Sequence, residues 1–367
     1  MKKQALWMVF LLSIVFVSQT MAQEKTKIFV VDSYHPEYMW SQDTHEGVSQ
    51  GLLDFGFLES EEEAGAYTRN DYVEGAKAII KKTWMDTKRK NSQSEIANVT
   101  ARIVEEIEAF QPDILLLGDD NAVNFIGNQY VDTDIPVVFW GVNGLPLKYG
   151  LLDSVERPGH NVTGIYQEGY LMENLDYLKR LVPDIKTFSV LSDDSPTGRA
   201  GVKRLENLDR QGKLPLKLMM TITTNSFSEW KKKALEASQI SDAFFVLNHN
   251  TLKDEQGNPV DQMKAGAWYL GNIRKPDCAY EKQFVEEGIL LAVDDSGFKQ
   301  GYEAVRLAND ILHEGKAPAM ISSYAPDRGP VMVNRNRAKQ LGIDLSGEDF
   351  VEEWVDESLA LEEKTGS

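Results

Sequence analysis

Three stretches of this chain end alike: ILLLGDDN at 114–121, FSVLSDDS at 188–195 and ILLAVDDS at 289–296. In each, an apolar run stops at two acidic residues and a helical pattern begins. Paired carboxylates in that place support three chemistries. An aspartate just before a helix is a favoured N-cap, worth about 1 kcal/mol, and it also suits the positive end of the helix dipole. One cap needs one oxygen, so the second aspartate is left over, and a carboxylate at a cleft edge suits an ammonium or guanidinium group. A divalent cation would need several oxygens converging at about 2.0–2.6 Å, a demand that pairs on opposite walls of a cleft meet poorly. Tyr34, Trp40, Trp140 and Tyr166 sit on tip-proximal segments and offer stacking or cation–π contacts.

Catalytic constellations are not found. The chain has no G-x-S-x-G elbow, no H-E-x-x-H and no Walker-type phosphate loop. Its five histidines, at 35, 45, 160, 249 and 313, are widely separated without metal-ligand spacing. They read as surface or structural residues, with His35 set apart because it lies on the first tip loop. Without a proton-transfer or nucleophilic constellation, no enzyme, metal or cofactor is expected.

The elements that must position the acidic tips follow a strand–helix alternation. Strands are expected at 27–32, 64–69, 114–118 and 136–141, with helices at 41–55, 95–110 and 122–130 and a less regular helix within 71–94. Continuous apolar strands read as buried on both faces, as in a parallel sheet, and the repeat reads as a doubly wound sheet. Residues 145–159, punctuated by Pro146, Gly150, Pro158 and Gly159, read as a loop, and 162–165 as an extended crossing. The scheme then repeats, with strands at 187–191, 216–221, 243–247 and 289–293 and helices at 170–181, 198–211, 227–238 and 262–273. An amphipathic helix at 301–313 follows. The expectation is an α/β protein of two similar halves around a central cleft, with C-terminal material that both halves could share and 348–367 as an acidic tail. In open α/β sheets ligands sit at the strands' carboxyl ends, where the acidic tips lie.

With 367 residues the chain is long enough for two cores. A formal charge of −18 argues against nucleic acid and anionic membranes as partners. Lys2 and Lys3, an apolar run at 5–17 and Thr20-Met21-Ala22 read as an export signal cleaved near Ala22, the run being shorter than the roughly 20 residues of a membrane helix. The expected product is a periplasmic monomer. The lone Cys278 permits no internal disulfide and reads as a small buried apolar residue.

Several stretches together resemble the ABC-transporter substrate-binding family that includes tryptophan- and tyrosine-binding lipoproteins. They are 284–294 (FVEEGILLAVD), 301–311, Val333-Asn334 with 338–343 (AKQLGI), and Asn161-Val162-Thr163-Gly164. Ser33-Tyr34-His35-Pro36 with Trp40-Ser41, and Met85-Asp86-Thr87-Lys88-Arg89, resemble a branch found as sensory input domains of membrane kinases. The resemblance implies the type I periplasmic-binding-protein fold, with two Rossmann-like lobes, three hinge crossings and a small-molecule ligand between the lobes. Residues 23–143 and 296–326 would then form the first lobe, and 144–295 and 327–347 the second. It also implies an ABC permease of the inner membrane as partner, the alternative being a sensor kinase. Carried over by position, the ligand site comprises Ser33, Tyr34, Asp119, Asp120, Asn121, Asn143, Asp193, Asp194, Asn248 and Asp294. His35, Trp40, Trp140 and Tyr166 complete the candidate set. The lipoprotein cysteine is absent.

Overall fold

The computed structural model describes residues 24–362; the expected export signal and the last residues of the expected tail lie outside the described residues. Two sheets form, one per lobe. The first holds β1 (Thr26–Asp32), β2 (Tyr72–Glu74), β3 (Ala78–Trp84), β4 (Ile114–Gly118), β5 (Val137–Asn143) and β6 (Val162–Gln167), in the order β2-β3-β1-β4-β5-β6. The second holds β7 (Thr187–Ser192), β8 (Lys217–Thr223), β9 (Ala243–Asn248), β10 (Asp277–Ala279), β11 (Leu291–Val293), β12 (Val331–Asn334) and β13 (Glu353–Val355), in the order β13-β12-β11-β10-β9-β7-β8. Pairing is parallel except for β2 with β3 and β11 with β12. The chain winds outward from β1 to β3 and then crosses to β4, and likewise from β7 to β8 and back to β9. Each sheet therefore has a switch point, between β1 and β4 and between β7 and β9, where open α/β sheets gather ligands.

The apolar runs explain the layers. Every residue of β4 and of β9 is buried, because helices cover both faces of each sheet. On one face of the first sheet, helix Met39–Asp54 crosses helix Gly297–Leu312 at unusually close range. A Cβ at Gly47 would fall 1.9 Å from the Phe298 carbonyl oxygen, and one at Gly301 would fall 2.0 Å from that of Thr44. On the other face lies helix Gln93–Phe110, started by a capping box in which Ser92 and Glu95 satisfy each other's backbone N–H.

The lobes are joined at residues 168–170, 294–296 and 325–330, and the three crossings are tied together. The Gly169 N–H donates to Asp295 Oδ2 (2.6 Å), the Gly329 N–H to the Asp294 carbonyl (2.7 Å) and the Tyr170 hydroxyl to the Pro326 carbonyl (2.9 Å).

Four local expectations change. Residues 61–69 are a helix, not a strand. Ser60 accepts the Glu63 N–H, Glu61, Glu62 and Glu63 occupy the first turn, and Ala64 and Tyr67 face the core. The region expected to be irregular helix contains β2 and β3. Its lysines concealed a strand in which Ala78, Ile80 and Lys82 point inward, with Lys82 Nζ donating to the Tyr67 carbonyl at 3.0 Å. β6 pairs with β5, so residues 162–167 belong to the first lobe and the crossing follows Gln167. Finally, β13 and helix Leu359–Glu362 make part of the acidic tail an edge of the second sheet. Arg335 stacks on Trp354 at 4.6 Å, and Glu352 accepts the Val331 N–H (2.8 Å) and pairs with Arg328 (2.6 Å). Charged side chains on an edge strand also discourage pairing with other chains.

Candidate functional site

The two switch points face one another. At the first, the Ser33 N–H and hydroxyl both donate to the Gly118 carbonyl (3.0 and 2.6 Å), and the Ser33 oxygen accepts the Ala122 N–H (2.7 Å). At the second, the Asp193 N–H donates to the Asn248 carbonyl (2.8 Å). Between them lies a cavity of about 230 Å³. Tyr34, Thr87, Lys88, Asp120 and Asn121 line it from the first lobe, and Asp194, Thr197, Arg199, Asn225 and Thr251 from the second. Trp40 and Asp294 line a second interlobe cavity of about 180 Å³ with Asp43, Glu281 and Gln283. Asn143 lines a third, with Gln167, Thr197, Arg204 and Tyr280.

The lobes are closed on each other. Asn250 Nδ2 donates to the Tyr38 hydroxyl (2.8 Å), Lys253 Nζ to Asn91 Oδ1 (3.0 Å) and Asn143 Nδ2 to Thr197 Oγ1 (3.4 Å), each bond spanning the cleft. Tyr34, Tyr38 and Trp40 form one buried aromatic cluster, with Tyr34 and Tyr38 edge to face at 5.1 Å.

The acidic tips divide by role. Asp119 has a left-handed backbone (φ 66°), and its Oδ1 accepts the Trp40 indole N–H at 2.8 Å while its buried Oδ2 has no hydrogen-bond partner. Burial, with Asp32 and Asp120 nearby, pushes its carboxyl well above the usual range. Asp120 is held by Lys148 Nζ (2.7 Å), the Tyr149 hydroxyl (2.5 Å) and Asn143 Nδ2 (2.7 Å). Asp193 is wholly buried and accepts from the Ser195 N–H and hydroxyl and from the Asn250 and Thr251 N–H groups. Asp194 is exposed and pairs with Arg199 at 2.8 Å. Ser195 and Ser296, not the aspartates, cap the helices that follow the second and third tips. At the third tip Asp294 accepts the Lys282 N–H (2.8 Å), and Asp295 ties the hinge. Burial raises Asp295 to about 7, and raises Glu281 to about 7 as well.

Other expected site residues sit elsewhere. Trp140 is completely buried in the first lobe's core against Gly118. Tyr166 packs half-buried on the opposite face of that sheet. Asn248 shapes its own loop by accepting from Asn250 Nδ2 (2.6 Å). His35 pairs with Glu37 at 3.1 Å on the exposed rim. His45 and His249 are both buried. His45 bridges Tyr67 and Asp32, and burial lowers its pKa. Burial also opposes charging of His249, but Glu287, 2.9 Å away, prevails and raises it. Ser41 donates to Asp32 rather than to His45, so no hydroxyl–imidazole relay forms there. Among the described residues no group of three or more His, Cys, Asp or Glu could hold a metal ion, and no helix is long and apolar enough to cross a membrane. Cys278 is completely buried.

The sequence reading missed Tyr38, Lys88, Thr197, Arg199 and Asn250. Lys88 had a signal in the 85–89 motif, but with β3 unrecognised that motif had no strand tip to belong to.

The fold agrees with comparisons to known proteins. Residues 68–352 match the family model described as ABC transporter substrate binding protein. A tyrosine-binding protein of Clostridioides difficile (strain R20291) is 25% identical over 219 residues, covering 59% of this chain and 60% of that protein. The ABC domain from Streptococcus pneumonia in complex with L-Trp superposes with a TM-score of 0.68 at 18% identity, covering 90% of this chain and 100% of that one. A ligand-free, open substrate-binding protein with adhesive properties from Clostridium difficile gives 0.65 at 20% identity, covering 90% and 99%.

Proposed function

Since this chain belongs to the ABC transporter substrate-binding protein family, we propose that it works outside the cytoplasmic membrane as a monomer, capturing a small amine-bearing organic solute for an ABC permease. One observation carries the reading: a cavity at the meeting of two switch points, with walls from both lobes and with Tyr34, Asp120 and Asp194 among its lining residues. The size suits a small solute, and a carboxylate-lined wall beside an aromatic ring favours a positively charged nitrogen. Closure would be a hinge motion at the three tied crossings, driven by the ligand's greater affinity for the closed state. The tyrosine-binding relative and the L-Trp complex make L-tyrosine and L-tryptophan the first solutes to try.

Native mass spectrometry of the purified protein, followed by a thermal-shift screen of amines, amino acids, sugars and organic anions, tests this. A co-purifying or stabilising nitrogenous solute is the expected result. Stabilisation by neutral sugars or by amine-free anions alone would overturn the amine reading.

A further inference from the structure

Lys88 is a charged side chain that the fold buries against two aromatic rings without giving it a carboxylate or a hydrogen-bond acceptor among the described residues. It lies in the turn after β3, only 6% exposed, and its side chain lines the interlobe cavity. Its ammonium stands 4.3 Å from the centre of the Tyr34 ring and 4.8 Å from that of Tyr38. Among the described residues no carboxylate comes within 4.0 Å of it, and it makes no hydrogen bond. The acids around it are engaged elsewhere: Asp193 by its loop, Asp120 by Lys148, Tyr149 and Asn143, Glu281 by Gln283 and Gln167, and one oxygen of Asp119 by Trp40.

The turn is also fixed in advance. The Asp86 N–H donates to the Tyr34 carbonyl (2.8 Å), the Thr87 N–H and hydroxyl donate to the Ser33 carbonyl (3.0 and 2.7 Å), and Asn121 Nδ2 donates to Thr87 Oγ1 (2.8 Å). The ammonium is thus held at the switch point by the same strand tip that presents Tyr34. An isolated buried cation is costly, and an arriving anion removes much of that cost. Burial lowers the Lys88 pKa, while Asp193, Glu281, Asp119 and Asp120 act at longer range to keep it charged.

We propose that Lys88 receives an anionic group of the ligand, so that the solute is a zwitterion of the amino-acid class whose carboxylate pairs with Lys88 while its ammonium faces Asp194 in the same cavity. Among the described residues, Arg199 takes only Oδ1 of that aspartate. This rests on the small-amine reading above and narrows it, since an amine without a carboxylate would leave Lys88 unpaired. Lys88 is then a specificity-determining residue: it separates amino acids from the amines made by decarboxylating them.

The test uses matched pairs titrated calorimetrically into the purified protein: L-tyrosine with tyramine, L-tryptophan with tryptamine, L-lysine with cadaverine. At least one amino acid is expected to bind, with its amine weaker by about 30-fold or more. Lys88→Met keeps much of the packing against the two tyrosine rings. It should lose a similar factor for the amino acid, so that the preference over the amine disappears, with an unaltered circular dichroism spectrum. Lys88→Arg should retain a preference for the amino acid. If Lys88→Met fails to fold, Lys88→Gln, which also removes the charge, takes its place, because Arg199 lines the same cavity and wild-type pairs alone would not separate the two cations. An amine that binds as tightly as its amino acid overturns the role of Lys88 and leaves the amine reading standing. Absence of binding by any amine or amino acid overturns both.

Discussion

The tips after β4 and β7 carry the same Asp-Asp pair at the same kind of switch point, yet they are built oppositely. After β4 the chain enters a helical turn at once, and Asp119 and Asp120 both become buried residues of that turn. After β7 a further residue, Ser195, takes the cap; Asp193 is drawn inward to bind a loop, and Asp194 is released to solvent. Three residues of delay before the helix change a buried pair into one structural anchor and one surface charge. Identical dipeptides therefore report the place of a ligand site without reporting which carboxylate serves it.

Four substitutions probe that difference, from the largest effect to the smallest. Asp193→Ala strands the buried Thr251 N–H and the part-buried Asn250 N–H and should cost about 3–4 kcal/mol in urea unfolding. A loss under about 1 kcal/mol would show that the second tip is no anchor. Asp120→Ala leaves Lys148, Tyr149 and Asn143 without their acceptor. It should cost about 2 kcal/mol and weaken the ligand identified by calorimetry, because the cavity wall loosens.

Asp119→Asn should raise stability at pH 7 by about 1 kcal/mol, because the amide keeps an oxygen for the Trp40 indole and removes the cost of a buried acid. The sign follows from the raised carboxyl: its contribution is fully present below the unfolded carboxylate pKa near 3.8 and is lost as pH rises towards the folded value. Unfolding curves from pH 4 to 8 should slope less in the variant, and an unchanged slope would contradict burial as the cause. Asp194→Ala removes only an exposed ion pair and should move stability by less than about 0.5 kcal/mol.

The architecture was legible because buried parallel strands announce themselves as unbroken apolar runs. The runs around Ile114, Phe188, Ala243 and Ile289 all became strands, and both lobes follow from their alternation with helices. The failures came where polarity hid burial. β3 carries Lys81 and Lys82, and β13 lies among Glu352, Glu353 and Asp356, so neither showed an apolar run. The site was legible as a location and less so as a list. The switch points were marked by Ser33, the Asp119–Asp120 pair, the Asp193–Asp194 pair and Asn248, all near the tips. A single sequence cannot show that Trp140 turns into the core while Lys88, on an unrecognised turn, faces the cavity. That distinction depends on strand register and on which helices cover each sheet, both of which are tertiary.

The close crossing of helices Met39–Asp54 and Gly297–Leu312 also bears on how the molecule comes into being. Gly47 meets Phe298 and Gly301 meets Thr44 across some 250 residues of chain, and the second sheet likewise waits for β12 and β13 to complete its edge. Contacts of such long sequence separation form late and slowly. A chain emerging from its amino end would therefore hold two unfinished lobes until almost all of it had been made. Each lobe would set only once its own last segments had appeared, helix Gly297–Leu312 for the first and then β12 and β13 for the second.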